Sequence, residues 1–434
     1  MLIYTPKITN RIKYIFETIF SNIWGVNYEL TENIDYFKKH TSYKLNYSSQ
    51  KINNELFIES HSLLFENKIN DQNINISQWN NIPVFFQTGL NSSLPFDIFA
   101  ASFYLISRYE EYLPHIKDHY NRFTAKESLA FKNNFLQKPL INIWLKYFFE
   151  IIKLKYPNYV INNKSFKFIS TIDVDNAYCY SQKGFVRNLA GFFRSIFQNK
   201  IDEVKDRWDV ITSQKTDPYD TFEHQLNIQE KYKINVIYFV LLGDYGLNDK
   251  SIPFYSKKFQ LLIKHLSDHA DVGIHPSFGS NEKYEKLKFE ILRLKNIIKK
   301  EVHLSRQHFL KLSLPKTYRN LIKAGVKNDY TMGYAALPGF RASICNSFYF
   351  YDLEIEKSTL LLVHPFVIMD ATFKYYLNYS PSETFSSIKD LVSEVKKVNG
   401  TFISLWHNET FSEYGDWKGW SHLYEDIIKL VVND

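Results

Sequence analysis

The feature that most constrains the fold is a regular alternation of short apolar runs with amphipathic stretches from residue 166 onward. The apolar runs end near Asp173, Leu242, His275, His308, Gly333, His364 and His407. Strands that alternate with helices predict a parallel sheet, and closure of such a sheet gives a barrel with its chemistry at the carboxyl ends of the strands. We therefore predict an α/β barrel over 166–434 with a site at that edge.

Two helices of this segment are predicted by their apolar periodicity, over 286–300 and 385–398. The second has clear end signals. Ser380, Pro381 and Glu383 form a capping box with proline at the first helical position, and Asn399-Gly400 is a left-handed stop.

The remainder of the 434-residue chain divides into two predicted segments. Residues 1–95 mix strand-like runs with turns rich in Asn and Ser, which indicates a small α/β module of unknown role. Residues 96–165 place apolar groups three to four apart, which predicts a helical connector packed on the barrel.

Charge and cysteine usage exclude several classes of protein. The chain has 53 basic and 46 acidic residues, a net charge of +7, and its bases alternate with acids. Such a surface does not predict nucleic-acid binding. Two cysteines cannot build a disulfide framework. No signal-peptide core or spanning segment is recognised, so we expect a cytoplasmic protein with at most a peripheral membrane contact.

Two carboxylates follow the first strand of the predicted barrel. Asp173 and Asp175 lie two positions apart, so in extended chain they point to the same side. Adjacent acids repel each other unless a cation or an arginine relieves them. The alternative is a solvated turn capped by Asp175.

Histidines and an arginine end two later strands. His275 is followed by a proline, and Arg306 and His308 share one face of another extended segment. Asp175, His275 and His308 would make a three-ligand site with an open position, as in catalytic zinc centres. Zinc is favoured, although cobalt, nickel and manganese suit the same donors. Arg306 could hold Asp173 ionised, or form a surface ion pair.

The last strand ends in three candidate residues, Trp406, His407 and Glu409. Glu409 shares a face with His407 and could orient its imidazole or raise its pKa, which would suit a general acid. A tryptophan and a histidine that only close the barrel are the alternative.

The order of these motifs resembles the polysaccharide deacetylase, or NodB-homology, family over about 165–434. The resemblance implies a deformed (β/α)7 barrel and metal-dependent removal of an acetyl group from an N-acetylated sugar. It implies Asp173 as catalytic base, Asp175 and His275 as metal ligands, Arg306 as the residue that steadies the base, and His407 as catalytic acid.

The chain departs from the family's His-x-x-x-His motif, because Gly279 stands where the second histidine is expected. We predict that His308 replaces it. Segments such as SRQHFLKLSLP and DYTMGYAALPGFRA resemble a divergent subgroup seen in Bacteroidetes-type bacteria. This resemblance implies that Asp329 and Arg341 are substrate-binding pocket residues, one able to orient a catalytic side chain and the other to hold the substrate. Trp406 could face the sugar ring, and Glu409 is a further substrate-binding candidate.

The predicted function is deacetylation of an amino sugar in a surface-glycan precursor or polysaccharide. A sugar-binding pseudoenzyme is the first alternative, and another metal-dependent amide or ester hydrolase on the same barrel is the second. The precursor could be linked to a lipid or to a nucleotide.

Overall fold

The computed structural model describes residues 1–162 and 164–432. Its strands are β1 Leu2–Tyr4, β2 Glu29–Thr31, β3 Lys44–Ser48, β4 Leu56–Glu59, β5 Ser77–Trp79, β6 Ile82–Val84, β7 Lys167–Val174, β8 Asn235–Val240, β9 Asp271–Ile274, β10 Leu304–Ser305, β11 Asn328–Asp329, β12 Phe348–Asp352, β13 Lys357–Val363, β14 Ile368–Met369 and β15 Thr401–His407.

The α-helices of the same residues are α1 Asn10–Phe16, α2 Ile34–Lys39, α3 Ile98–Ile106, α4 Leu129–Lys132, α5 Leu140–Lys155, α6 Phe185–Phe197, α7 Ile201–Ile211, α8 Phe222–Tyr232, α9 Lys257–His269, α10 Tyr284–Ile298, α11 Lys316–Lys323, α12 Pro381–Lys396 and α13 Ser421–Val432. Wider π-helical turns continue α1 over Glu17–Ile23 and occupy Thr372–Tyr376.

The larger sheet has nine strands in the order β12-β13-β11-β10-β9-β8-β7-β15-β14. All neighbouring pairs run parallel except β12 and β13, which are antiparallel. Parallel pairing brings the carboxyl ends of β7 to β11, β13 and β15 to one edge. The polar residues predicted to form a site follow these ends.

The predicted strand ends agree with the observed strands to within a few residues, so the alternation of strand and helix is confirmed as an α/β fold. The predicted closure differs. Among the described residues β12 and β14 end the hydrogen-bonded order, and no pairing joins them into a ring. A closed seven-stranded barrel therefore stays a prediction.

The close packing of neighbouring strands in the middle of this sheet requires a glycine. A Cβ on Gly273 in β9 would stand 2.7 Å from the Phe239 ring and 2.8 Å from Leu304. Real Cβ atoms do not approach so closely, so a larger residue would push the Phe239 ring away. That ring supports Arg306, whose Cζ lies 4.8 Å from the ring centroid.

The amino-terminal part of the chain forms a second, parallel sheet in the order β2-β1-β3-β4. Asp97 caps α3, because its carboxylate accepts from the backbone N–H groups of Phe99 and Ala100. α5 follows as a long amphipathic helix with Trp144 and Phe148 on its buried face. The proposed division at residues 95 and 165 stays a prediction.

Buried ion pairs link the amino-terminal segments to the nine-stranded sheet. Glu111 lies 2.7 Å from Arg341 and 2.8 Å from Arg108, and all three side chains are at most 3% exposed. Arg11 of α1 pairs with Glu356 on the turn between β12 and β13. Such pairs fix geometry, because breaking one leaves a buried charge without compensation.

The predicted helix ends at 380–400 are confirmed. Ser380 accepts from the N–H of Glu383, and the Glu383 carboxylate accepts from the N–H of Ser380, which is a complete capping box. Asn399 adopts a φ of 51°, the left-handed conformation expected after the helix.

Candidate functional site

Asp173 is the next-to-last residue of β7 and pairs with His407 on the neighbouring strand β15. Its side chain is buried, and Arg306 Nη1 lies 3.1 Å from its Oδ1. The same Nη1 donates to the Thr171 hydroxyl at 2.6 Å. The predicted pairing of Arg306 with Asp173 is thus present in the structure, and it holds the carboxylate at the carboxyl edge of the sheet.

Asp175, His275 and His308 meet at this edge. Each offers one donor atom, and the three atoms lie within 4.8 Å of one another. His275 Nε2 lies 3.1 Å from Asp175 Oδ1, and His308 Nε2 lies 3.4 Å from Asp175 Oδ2. The sequence placed these residues on three separate stretches, and the parallel sheet brings them together.

The tautomer of His275 follows from its surroundings. Its Nδ1 lies 2.5 Å from the backbone carbonyl of Arg306. A carbonyl oxygen can only accept, so Nδ1 carries a proton and donates, which leaves Nε2 as the ring nitrogen that faces the cluster. Nε2 points to the carboxylates of Asp175 and Asp173, the latter at 3.6 Å.

His308 is oriented in the same manner by a carboxylate. Its Nδ1 donates to Asp249 Oδ1 at 2.9 Å. Asp249 is itself fixed, because it accepts from the backbone N–H groups of Phe278 and Gly279. A carboxylate on the outer nitrogen of a histidine is the usual second partner of a metal-ligating imidazole.

The donor set fits a divalent cation. Asp175 Oδ1 is a buried oxygen without a hydrogen-bond partner, although it faces His275. One carboxylate and two imidazoles that turn Nε2 towards it are the donors of catalytic zinc sites, and a cation bound there would take the place of the proton on His308 Nε2. Gly279, which stands in place of the family's second histidine, is compatible with this ligand set. Its backbone N–H donates to Asp249, the carboxylate that orients His308.

Charges within the cluster shift the pKa values of its members. Burial raises the pKa of Asp175, but the charge of His308 and the close approach of both imidazoles outweigh it and hold the pKa well below the usual range. Burial lowers the pKa of His308, and the carboxylates of Asp175 and Asp249 outweigh that effect and raise it to about 9. The cluster thus attracts positive charge to its centre.

His407 lies on the opposite side of the cluster, and Asp370 orients it. Its Nδ1 donates to Asp370 Oδ1 at 2.7 Å, and its backbone N–H donates to Oδ2 at 2.7 Å. Nε2 faces Asp175 at 3.9 Å. Burial opposes the charged ring, yet the Asp370 carboxylate raises the pKa of His407 to about 10.

A cavity of about 300 Å³ opens over these residues. This volume is at the lower end of the range of about 300–1,000 Å³ for small-molecule pockets. Its lining combines the charged cluster with apolar and aromatic groups: Arg122, Asp173, Asp175, His275, Gln307, His308, Phe309, Leu310, Ala335, Met369, Ala371, Tyr375, Tyr376, Leu405 and His407.

The backbone beside His308 is strained. Phe309 and Leu310 have φ values of 59° and 53°, in the left-handed region that bulky residues avoid. Each such residue costs on the order of 1–3 kcal/mol and persists where surrounding contacts impose it. Here the Phe309 carbonyl accepts from Arg122 Nη1 at 2.7 Å, which holds the loop against the cavity.

The structure corrects the predicted substrate contacts. Trp406 is fully buried, its ring packs edge-on against Tyr424, and it does not line the cavity. Arg341 is engaged by Glu111, so its guanidinium is not directed at a substrate. Burial explains both positions. Trp406 packs in the core, and Arg341 pairs with the buried carboxylate of Glu111.

Asp329 and Glu409 do not line the cavity either. Asp329 is buried and accepts twice from Thr331, whose hydroxyl accepts in turn from the Gln307 N–H, so it supports the loop before His308. Burial raises the pKa of Asp329 to about 6. Glu409 does not orient His407, because Asp370 occupies that position. Burial and the nearby Asp175 raise the pKa of Glu409 to about 7.

Three contributors were not predicted. Asp249 lies in a loop after β8 whose sequence, GDYGLNDKS, has no recognisable spacing to the histidines. Asp370 follows the two-residue strand β14, and its position after a strand was its only signal. Arg122 reaches the cavity from the segment between α3 and α4, which was predicted to be only a connector.

Residues 1–157 match a family of unknown function, DUF7033. No curated protein is significantly similar to the chain.

Several solved structures are similar to about three fifths of the chain. A candidate polysaccharide deacetylase from Mycobacterium smegmatis is 12% identical, with a TM-score of 0.40 over 62% of this chain and 85% of that one. PuuE allantoinase is 10% identical, with a TM-score of 0.40 over 61% and 85%. A CE4 family pseudoenzyme from Bacillus anthracis, BA3943, is 12% identical, with a TM-score of 0.29 over 62% and 61%. At these TM-scores the activity must be argued from the site itself.

Proposed function

We propose that this chain is a metal-dependent hydrolase that removes an N-acetyl group from an amino sugar. The observation that carries the proposal is the convergence of Asp175, His275 and His308 within 4.8 Å, beside a carboxylate on one side and a histidine on the other. Three ligands with an open side suit catalysis, whereas a structural site is normally closed by a fourth ligand.

Asp175, His275 and His308 would hold the cation. When bound, such an ion supplies Lewis acidity, which activates water and polarises a carbonyl group. Zinc is the metal that these donors favour, with cobalt, nickel and manganese as alternatives.

Asp173 is suited to accept a proton from the attacking water. It lines the cavity, and Arg306 Nη1, which lies 3.1 Å from its Oδ1, holds the carboxylate in place. Arg306 is completely buried and stacked on Phe239, so the pair has little freedom to move. A positioned base of this kind contributes about 10²–10⁴-fold to rate.

His407 is suited to protonate the departing nitrogen. Asp370 accepts from Nδ1, so Nε2 is the atom that faces the cavity and delivers the proton. An amine leaves poorly as an anion, so a protonated imidazole at this position removes the main obstacle to cleavage.

The lining agrees with a small acylated sugar. The cavity has an apolar wall that an acetyl methyl group could contact, formed by Leu310, Ala335, Met369 and Leu405. Tyr375 adds an aromatic surface. A pocket with apolar walls and a few convergent polar groups is the usual arrangement for a small-molecule site.

Acetate release from N-acetylglucosamine oligomers tests the proposal. Wild-type protein loaded with zinc should release acetate and free amine, and Asp173→Asn should lose at least about a hundredfold of the rate. Asp268→Asn, an exposed position on α9, is the matched control and should retain full rate. Metal binding without acetate release would favour a different amide or ester hydrolase, and oligomer binding without metal would favour a pseudoenzyme.

A further inference from the structure

Helices α6 and α7, which follow Asp175 and precede α8, carry an exposed apolar face. Six large residues of α6 are between 43% and 85% exposed. At 100° per residue they occupy an arc of about 120° on the helix. They are Phe185, Val186, Leu189, Phe193, Ile196 and Phe197.

The same apolar surface continues onto α7, where Ile201, Trp208 and Ile211 are between 42% and 66% exposed. We call these nine residues the hairpin face. Single exposed apolar residues are common, but a contiguous group of this size marks an interaction surface.

Basic residues border the hairpin face. Arg187 and Arg194 project from the side of α6 about 60–80° beyond the apolar arc, and Lys200 lies between the two helices. Arg187 also stacks on Tyr245 at 4.1 Å, which ties the helix to the loop after β8. Phenylalanine, isoleucine and tryptophan on one face with arginine at its border are typical of helices that lie in a membrane interface.

We propose that the hairpin face binds the surface of a bilayer that contains anionic lipids. The arginines of α6, which carries no acidic residue, complement anionic headgroups, and the net charge of +7 acts in the same direction. The six apolar residues of α6 lie on the outer side of the helix, which suits insertion into lipid better than enclosure of a partner segment. No helix in the described part of the chain is long and apolar enough to cross a membrane.

The position of the hairpin face suggests why such binding would be useful. α6 follows the strand that carries Asp173, and the loop with Tyr245 also carries Asp249, the partner of His308. The face therefore lies at the same edge of the sheet as the cavity. If the proposed deacetylase function holds, the substrate class would be an acetylated sugar attached to a lipid.

Vesicle sedimentation of the full chain tests the membrane proposal without metal or substrate. Wild-type protein should bind vesicles of phosphatidylcholine mixed with phosphatidylglycerol, bind pure phosphatidylcholine more weakly, and lose binding as salt screens the charges. The double variant Phe185→Ser with Phe197→Ser should bind at least about tenfold more weakly. Leu154→Ser with Leu360→Ser is the matched control, since these residues are 85% and 87% exposed on other elements, and it should bind like wild type.

Three results would overturn the membrane proposal. The first is absence of wild-type binding to the anionic vesicles, and the second is equal binding by the hairpin variant. The third is that light scattering finds a dimer of the wild-type chain and a monomer of the hairpin variant while neither binds vesicles, which would assign the face to a second copy. Acetate release is measured separately, so loss of that activity does not bear on vesicle binding.

Discussion

Asp249→Asn should weaken metal binding without removing a ligand. Asp249 accepts the Nδ1 proton of His308 at 2.9 Å and is fixed by two backbone N–H groups. Asparagine has nearly the same volume and can still accept the imidazole proton through its oxygen, so the substitution removes the charge and one acceptor oxygen. Loss of such an outer partner typically lowers metal affinity by about 10–100-fold.

Competition with a chromogenic zinc chelator measures this effect on the purified chain. Asp244→Asn is the matched control, because Asp244 lies on the same loop but forms an exposed ion pair with Arg293. We expect its zinc affinity to equal that of wild type, with both variants melting near the wild-type temperature. An Asp249→Asn chain that binds zinc as tightly as the control would refute the assignment of His308 as a ligand oriented by this carboxylate.

Three further predictions follow from the same contacts. His407→Gln should lower the rate of acetate release by about 10²–10⁴-fold while bound zinc, measured by elemental analysis, stays at the wild-type level; parallel loss of metal would mean that His407 is a ligand. Glu111→Gln should lower the free energy of unfolding in urea by about 3–5 kcal/mol, because it leaves the buried Arg341 without its carboxylate and Arg108 with Glu110 alone; a change below about 1 kcal/mol would show that the pairs are weak. Burial lowers the pKa of His364 to about 4, whereas the histidine of the unfolded chain takes up a proton as pH falls below about 6.5. The folded state therefore loses about 3 kcal/mol of stability between pH 6.5 and pH 4. His364→Gln should reduce that loss, measured by urea titration at pH 6.5 and at pH 4, and an unchanged pH dependence would contradict the reasoning.

Much of the fold could be predicted because the apolar pattern is local. The strands that end near Asp173, His275 and His407 are short, mainly apolar runs that end in polar residues, so their ends were recognisable. Closure of the sheet could not be predicted in this manner. The two-residue strand β14 and the antiparallel β12 have no distinct periodicity, and they occupy the two ends of the hydrogen-bonded order.

The candidate site could be predicted where residues directly follow a strand. Asp175, His275 and His308 were placed together because parallel strands bring their carboxyl ends to one edge. Asp249 was missed because its loop reaches His308 only through the fold. Trp406 was misplaced because both faces of β15 are buried: alternation turns Leu405 to the cavity and Trp406 to the opposite face, against Tyr424.

Arg122 shows a different limit of sequence analysis. It lies about 50 residues before the first strand of the larger sheet, yet it lines the cavity and binds the Phe309 carbonyl. Its neighbour Tyr120 packs on Phe309 with ring centroids 4.8 Å apart. No local pattern connects these residues to the histidines. The amino-terminal part of the chain therefore contributes directly to the site.

The central claim is that Asp175, His275 and His308 share one cation. Elemental analysis of purified chain after equilibration with zinc and removal of free ions tests it most directly. We predict one zinc ion per wild-type chain, none in His275→Ala or His308→Ala, and full occupancy in His269→Ala, an exposed histidine on α9. Zinc retained in both cluster variants, or absent from folded wild-type protein, would contradict the claim.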